Sequence, residues 1–359
     1  MKTTQIVQRW LVLSMLFMLL VSLSGCAQEV MVLVEKARSA KVAEADAFAL
    51  NQQLGRGVNL GNALEAPREG EWGMYLEADY FALIAEAGFN AVRVPIKWSA
   101  HAQATPPYTI DPTFLARIDW VVEQAQTNGL AVVLNIHHYD EMDQDPDAHQ
   151  ARFLALWAQI ATHYQAQPAT VVFELLNEPN SNLLAYKWNQ ILNAAISTIR
   201  QTNPTRTLIV GPSDWNSIHS LSNLELPAAD RHLIVTFHYY EPFPFTHQGA
   251  EWVTGSGAWV GTTWTGSTGE QQAITTAFNR AATWAQQQNR PLYLGEFGAY
   301  SRADIDSRAA WTAFVARQAE ERDISWAYWE FGAGFGVYDR ARAQWNEKLL
   351  AALLATTTD

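Results

Sequence analysis

Cysteine is nearly absent from this chain. Its 359 residues include one, Cys26, which excludes an intrachain disulfide and a cysteine-built zinc site. Basic charge is scarce too: 24 Lys and Arg stand against 36 Asp and Glu, a net charge of −12. A surface built to grip nucleic-acid phosphates needs the opposite balance, so no nucleic-acid partner is expected. No apolar run is long enough to cross a bilayer. The longest, Leu11 to Leu23, is broken only by Ser14 and Ser22 and falls short of the roughly 20 residues a spanning helix needs. A glycine-rich phosphate fingerprint is missing as well: Gly55-Arg56-Gly57 precedes the first apolar run of the main body, and no helix follows it. There is no internal repeat and no Ser/Pro-rich linker, so nothing divides the main body into two domains.

Tryptophan, usually rare, occurs 15 times. Flat apolar platforms in that number point to ligands with flat apolar faces, sugars among them. The N-terminus reads as an address. Lys2 and Arg9 precede the Leu11–Leu23 run, and Leu23-Ser24-Gly25-Cys26 follows it directly. This resembles a bacterial lipobox, with Cys26 the lipidation site. The expectation is a lipoprotein signal peptide over 1–25 and a tether over 26–45, leaving the main body at 46–355. Cleavage would remove both early cations. Ala27 after the cysteine favours the outer membrane by resemblance to lipoprotein sorting rules, with membrane contact only through the anchor.

The main body alternates short apolar runs with amphipathic stretches. Eight runs read as strands covered on both faces: 57–61, 91–95, 131–136, 171–176, 207–210, 233–237, 291–294 and 324–328. Between them lie helical patterns. Asp111-Pro112 is a cap followed by proline at the first helical position, and Gly88 and Gly129 close helices. Further helices fit 150–164, 185–201, 270–288 and 304–322, while 217–230 is poor in helix signals. Eight strand–helix units predict an α/β (β/α)8 TIM barrel as a single catalytic domain; a doubly wound sheet is the alternative.

In such a barrel the chemistry gathers at the C-terminal strand ends, and these ends are polar in seven of the eight runs. They carry Asn62, Arg93, the Asn135/His137/His138 group, Asn177-Glu178, His238-Tyr239-Tyr240, Glu296 and Trp329-Glu330. Polar groups are costly to bury unless paired, so a whole rim of them signals a site.

These motifs resemble glycoside hydrolase family 5, the bacterial endo-β-1,4-glucanase type. The matching segments are Gly57-Val58-Asn59-Leu60-Gly61-Asn62, Arg93-Val94-Pro95, Asn135-Ile136-His137-His138, Asn177-Glu178-Pro179, His238-Tyr239-Tyr240, Gly295-Glu296-Phe297-Gly298 and Trp326 to Phe331. The resemblance implies Glu178 as acid/base, Glu296 as nucleophile and Asn177 as a donor to the sugar 2-hydroxyl. It implies that Arg93 and Tyr240 hold Glu296, that His238 meets the acid/base, and that Asn62 helps position the surroundings of Glu296. His137, His138 and Trp329 would line the subsite before the cleaved bond. It further implies a β-glucan polysaccharide substrate, no cofactor, no metal and a monomer.

Elementary chemistry of glycoside cleavage runs parallel. Two carboxyls about 5–5.5 Å apart give retention, about 6.5–9.5 Å inversion, and the short spacing is expected. Arg93 and Tyr240 should lower the pKa of Glu296, whose charge should then raise that of Glu178. The long segment after strand six, 241–270, carries Phe243, Phe245, Trp252, Trp259 and Trp264. It reads either as a cleft wall, with Trp252 a platform, or as a self-packed loop. Trp72 is another candidate platform, and Glu65 a candidate contact to a sugar hydroxyl.

Three other functions compete with an endoglucanase. One is a metal hydrolase on His137, His138, His238 and Glu178, which adjacent histidines on a strand disfavour because they point to opposite faces. Another is a non-catalytic glycan binder. The third is a β-mannanase, glucomannanase or exo-glucosidase of the same family. Without a linker or binding module, soluble chains are expected to be better substrates than crystalline cellulose.

Overall fold

The eight apolar runs become eight parallel strands in a computed structural model that describes residues 46–355. The expected signal sequence, Cys26 and tether lie outside those residues. The strands are β1 (Arg56–Asn59), β2 (Ala91–Val94), β3 (Ala131–Asn135), β4 (Val171–Glu174), β5 (Leu208–Val210), β6 (Leu233–His238), β7 (Leu292–Glu296) and β8 (Ser325–Tyr328). Each pairs with its neighbour in sequence, and β8 pairs back with β1 to close a (β/α)8 barrel. Closure leaves no strand edge unpaired, which is why runs of three to six residues suffice.

The helices are α1 (Asp46–Leu54), α2 (Ala78–Ala87), α3 (Pro112–Thr127), α4 (Asp140–Gln144), α5 (Pro146–His163), α6 (Ala185–Arg200), α7 (Thr268–Gln288), α8 (Ile305–Glu320) and α9 (Glu347–Leu354). Their ends follow local chemistry. Asp111 Oδ1 accepts from the amides of Thr113 and Phe114 at 2.7 and 3.2 Å, and Gly88 stops α2 with φ of 105°. Helix α5 begins at Pro146, ahead of the expected residue 150, because Asp145 caps it through the Ala148 amide. A small hairpin, β9 (Tyr338–Asp339) with β10 (Gln344–Trp345), follows β8 and was not legible in the sequence.

Two layers pack around the strands. Val92, Val132, Phe173, Val235 and Leu294 face outward into the helical layer, each such burial contributing about 1.5–3 kcal/mol. Ala91, Val133, Val172, Ile209, Ile234, Tyr293 and Ala327 face inward, and Ala47, Leu50 and Leu54 of α1 close that inner cluster. The opposite, C-terminal end of the barrel is left for polar side chains.

One irregularity decides which way β7 points its carboxylate. Phe237 pairs with Leu294, but His238 pairs with Glu296, so Gly295 is an extra residue in the register. Tyr293 faces inward, and strict alternation would turn Glu296 outward. The bulge at Gly295 reverses the parity and brings Glu296 to the inside beside His238.

Between β5 and β6 there is no long helix. Ser213–Asn216 is a single turn, followed by a 3-10 segment at Ile218–Asn223. The segment 241–270 divides: Phe245 and Trp264 are buried, whereas Trp252 is 61% exposed. Helix α7 is started by a reciprocal cap in which the Ser267 amide donates to Glu270 at 2.8 Å and the Glu270 amide to Ser267 Oγ at 3.4 Å. Ser267→Ala should therefore lower the unfolding free energy by about 1 kcal/mol, read as a shift in urea midpoint with an unchanged slope.

Candidate active site

Arg93 enters the barrel from β2 with its side chain fully buried. An isolated guanidinium could not stay there, so its donors are all engaged. Nε and Nη2 donate to Glu174 at 2.6 and 2.8 Å, a two-pronged pair. Nη1 donates to Glu296 Oε1 at 2.7 Å and to Asn59 Oδ1 at 2.8 Å. Nη2 also reaches Asn177 Oδ1 at 2.7 Å. Three other strands, β1, β4 and β7, are thus tied to one cation on β2. Neither Glu174 nor Asn59 was singled out from the sequence. Both carried a signal: a charge inside the apolar run 171–176, and an amide two residues from Gly57 on an inward-facing position.

Glu296 stands across the barrel with 7% of its side chain exposed. Besides Arg93 it accepts from the Tyr240 hydroxyl at 2.9 Å. Burial raises its pKa, offset by His238, Arg93 and the Tyr240 hydrogen bond. The expected net lowering by Arg93 and Tyr240 is therefore corrected: desolvation outweighs them.

Glu178 keeps a quarter of its side chain exposed and accepts no hydrogen bond from Arg93 in this arrangement. Its pKa is pushed up to about 7, chiefly by burial, with Arg93 opposing and Glu174 adding. Repulsion from Glu296 was the expected cause; burial is the leading one. His238 Nδ1 lies 2.6 Å from Glu178 Oε1 and 3.7 Å from Glu296 Oε2. Burial lowers the His238 pKa to about 4, so the ring is neutral near neutrality. One oxygen of each glutamate and a nitrogen of His238 all lie within 4.8 Å of one another. Two carboxyls that close, one facing donors and one raised to about 7 by burial, have the arrangement that glycoside cleavage by an acid and a nucleophile requires.

Asn177 Oδ1 accepts from Arg93 Nη2, which leaves its Nδ2 turned away from the guanidinium. The Trp329 ring stacks on His137 at 5.9 Å and 13°. Gly61 permits this placement, since a Cβ there would stand 3.0 Å from the indole. His137 and His138 do not point to opposite faces: β3 ends at Asn135, His138 has φ of 48°, and the rings meet at 4.6 Å. Asn135 Nδ2 fixes His137 Nδ1 at 3.0 Å. Trp72 abuts His138 at 5.6 Å, extending the row of rings outward. On the other flank Trp252 touches Phe335 at 6.2 Å, and Phe335 touches Tyr240 at 6.3 Å.

Two expected contacts are corrected. Glu65 is 1% exposed and accepts from the amides of Asn62 and Ala63, so it is not presented to a sugar hydroxyl. Asn62 joins Glu65 and Glu330; the amide beside Glu296 is Asn59, which also holds the Gly295 carbonyl at 3.0 Å. Glu330 in turn accepts from the amides of Ala333 and Phe335. Burial raises Glu65 to about 8 and Glu330 to about 7.

The chain matches the model for Cellulase (glycosyl hydrolase family 5) over residues 52–334. Endoglucanase H of Acetivibrio thermocellus is 36% identical over 301 residues, spanning 84% of this chain and 32% of that protein. Endoglucanase B of Clostridium cellulovorans is 29% identical, spanning 80% and 70%. The chain thus covers about a third of the first relative's length. Among solved structures, Thermotoga maritima Cel5A in complex with mannotriose superimposes with a TM-score of 0.85 at 51% identity, over 86% of this chain and all of that one. The same protein with cellobiose gives the same values.

The buried carboxyls fix a pH dependence of stability. Glu65, Glu178 and Glu330 all have folded pKa values above their ordinary 4.5. Their contribution is complete below that value and is lost as pH rises through 7 to 8. Glu330→Gln, which cannot ionise, should flatten the fall in melting temperature between about pH 5 and pH 8, measured by differential scanning calorimetry.

Proposed function

The chain belongs to glycosyl hydrolase family 5, and from that premise we propose that it is a retaining endo-β-1,4-glucanase acting on cellulose-type or mixed-linkage glucans. The observation that carries the proposal is the pair Glu178 and Glu296, with oxygens within 4.8 Å and opposite surroundings. That separation supports double displacement rather than inversion, which needs room for a water between the carboxyls.

In the first step a Glu296 oxygen attacks the anomeric carbon as its bond to the leaving oxygen breaks. Glu178 gives its proton to that oxygen, and the first product leaves. The sugar is now an ester of Glu296. Esterification removes one negative charge from the site, and Glu178 is left as a carboxylate. In the second step water attacks the anomeric carbon, Glu178 takes its proton, and Glu296 is released. Arg93 and Tyr240 steady Glu296 in both steps, and Asn177, its Oδ1 taken by Arg93, donates through Nδ2 to the 2-hydroxyl. Trp329 and His137 supply the platform at the same subsite, with His138 and Trp72 beyond it. Trp252 extends the opposite wall.

The names of the relatives support glucan as substrate: endoglucanases H and B, and Cel5A bound to cellobiose. A second reading, action on mannan or glucomannan, is favoured by the mannotriose complex of the same Cel5A. The two sugars differ at the 2-hydroxyl, next to the reacting carbon. We also propose export and lipid anchoring through Cys26, supported by the lipobox-like segment; loss of radiolabelled palmitate on Cys26→Ser would support it, and retention would count against it.

Carboxymethyl cellulose, barley β-glucan and galactomannan should be compared with product lengths resolved over time. Early mixed oligosaccharides from the first two are expected; preference for galactomannan would move the specificity while keeping the dyad. Glu296→Gln should abolish the covalent intermediate trapped with a 2-fluoro glycoside and seen by mass spectrometry. Activity should fall as pH rises through about 7, where Glu178 loses the proton it must donate.

A further inference from the structure

His238 touches Glu178 through one ring nitrogen, and the other nitrogen has a partner that no sequence motif flagged. Asn216 Nδ2 lies 3.3 Å from His238 Nε2. Both residues are buried, Asn216 completely. Asn216 comes from the turn after β5, where Asp214, Trp215 and Asn216 have φ of 64°, 55° and 54° in succession. Three consecutive residues other than glycine in the left-handed region are strained, and such strain persists only where the surroundings hold it. Here the turn is fastened to the acid's own loop, because the Trp215 amide donates to the Pro179 carbonyl at 3.2 Å. Space for the contact comes from two glycines. A Cβ on Gly211 would stand 2.1 Å from Asn216 Oδ1, and one on Gly295 would stand 2.9 Å from His238 Nε2.

We propose that Asn216 is a positioning residue that sets the tautomer of His238 and thereby the location of the acid proton on Glu178. This rests on Glu178 being the general acid. A neutral imidazole carries one proton. With the Asn216 amide turned as it stands, Nδ2 toward the ring and Oδ1 buried without a hydrogen-bond partner, the nitrogen can only donate, so Nε2 accepts and the ring proton sits on Nδ1. Nδ1–H then donates to Glu178 Oε1. With Oε1 occupied as an acceptor, the carboxyl proton resides on Oε2, free to pass to the leaving oxygen. The opposite tautomer would place a bare Nδ1 against Oε1, and the acid proton would be drawn into the Glu178–His238 contact. The charged and titratable groups facing His238 are Glu178 past β4, Glu174 on β4, Glu296 on β7, Arg93 on β2 and His137 past β3. None of these fixes Nε2. Arg93 and the burial keep the ring neutral, so the choice between tautomers falls to Asn216.

Asn216→Asp tests this with nearly the same shape. A carboxylate at 216 demands a proton on Nε2. The ring then either presents a bare Nδ1 to Glu178 or becomes an imidazolium that lowers the pKa of Glu178. Both outcomes remove the acid. The variant should lose about 100-fold in kcat/KM on cello-oligosaccharides, whose leaving oxygen needs protonation. It should lose at least about tenfold less on dinitrophenyl cellobioside, whose leaving group departs unaided. The alkaline limb of its pH profile should move to lower pH. Glu178→Ala is measured beside it as the reference for acid loss. A wild-type profile with no leaving-group dependence in Asn216→Asp, while Glu178→Ala shows it, would overturn the role of Asn216 alone. Absence of the dependence in Glu178→Ala would overturn the acid assignment itself. Nitrogen-15 NMR of histidine-labelled wild-type protein gives a readout that needs no variant. A protonated Nδ1 and bare Nε2 on His238 near about pH 6 are expected, and the reverse pattern overturns the inference.

Discussion

One buried cation organises the polar end of this barrel. Arg93 carries a full charge with no exposure to water, and it is tolerable there only because Glu174, Glu296, Asn59 and Asn177 surround it. Those partners come from three other strands: Asn59 on β1, Glu296 on β7, and Glu174 and Asn177 at the end of β4. Satisfying the guanidinium therefore fixes the relative positions of β1, β2, β4 and β7. The Glu296 carboxylate, the Asn177 amide and the strand that leads into Glu178 are oriented by the same ion. A lysine could not do this, since the planar fork reaches several acceptors in one plane.

The two glutamates then differ because their surroundings differ. Glu296 meets the guanidinium and a phenol, which favour its charge against burial. Glu178 has no such donor beyond His238 and opens to the cleft, and desolvation holds it near pKa 7. His238 is the joint between them, 2.6 Å from one and 3.7 Å from the other. Its neutrality is a product of burial, so it passes on orientation rather than charge. The Gly295 bulge makes the encounter possible by turning Glu296 to the side that His238 already occupies.

Much of this was legible in the chain before any fold was in hand. Apolar runs of four to six residues, separated by amphipathic stretches, mark buried parallel strands because both faces must be apolar. The polar residues at their ends mark one rim for the same energetic reason. Failures came where local pattern is silent. Glu174 passed unmarked inside an apolar run because its partner lies on another strand. Glu65 looked available because sequence does not reveal that two backbone amides already hold it. The histidine pair at 137 and 138 was read as strand-like, but the chain leaves the strand at Asn135 and His138 turns left-handed.

By itself the sequence determined the eight-unit barrel and the polar rim at its strand ends, where Glu178 and Glu296 stand, because periodicity and the cost of burying polar groups act locally. Only the tertiary structure decided the spacing of the dyad, the burial that raises Glu178 and the partners of Arg93. It alone brought Asn216 behind His238, from a turn that carries no motif. Those properties depend on distances between segments far apart in the chain and on the exclusion of water from the space between them, and neither is written in any single segment.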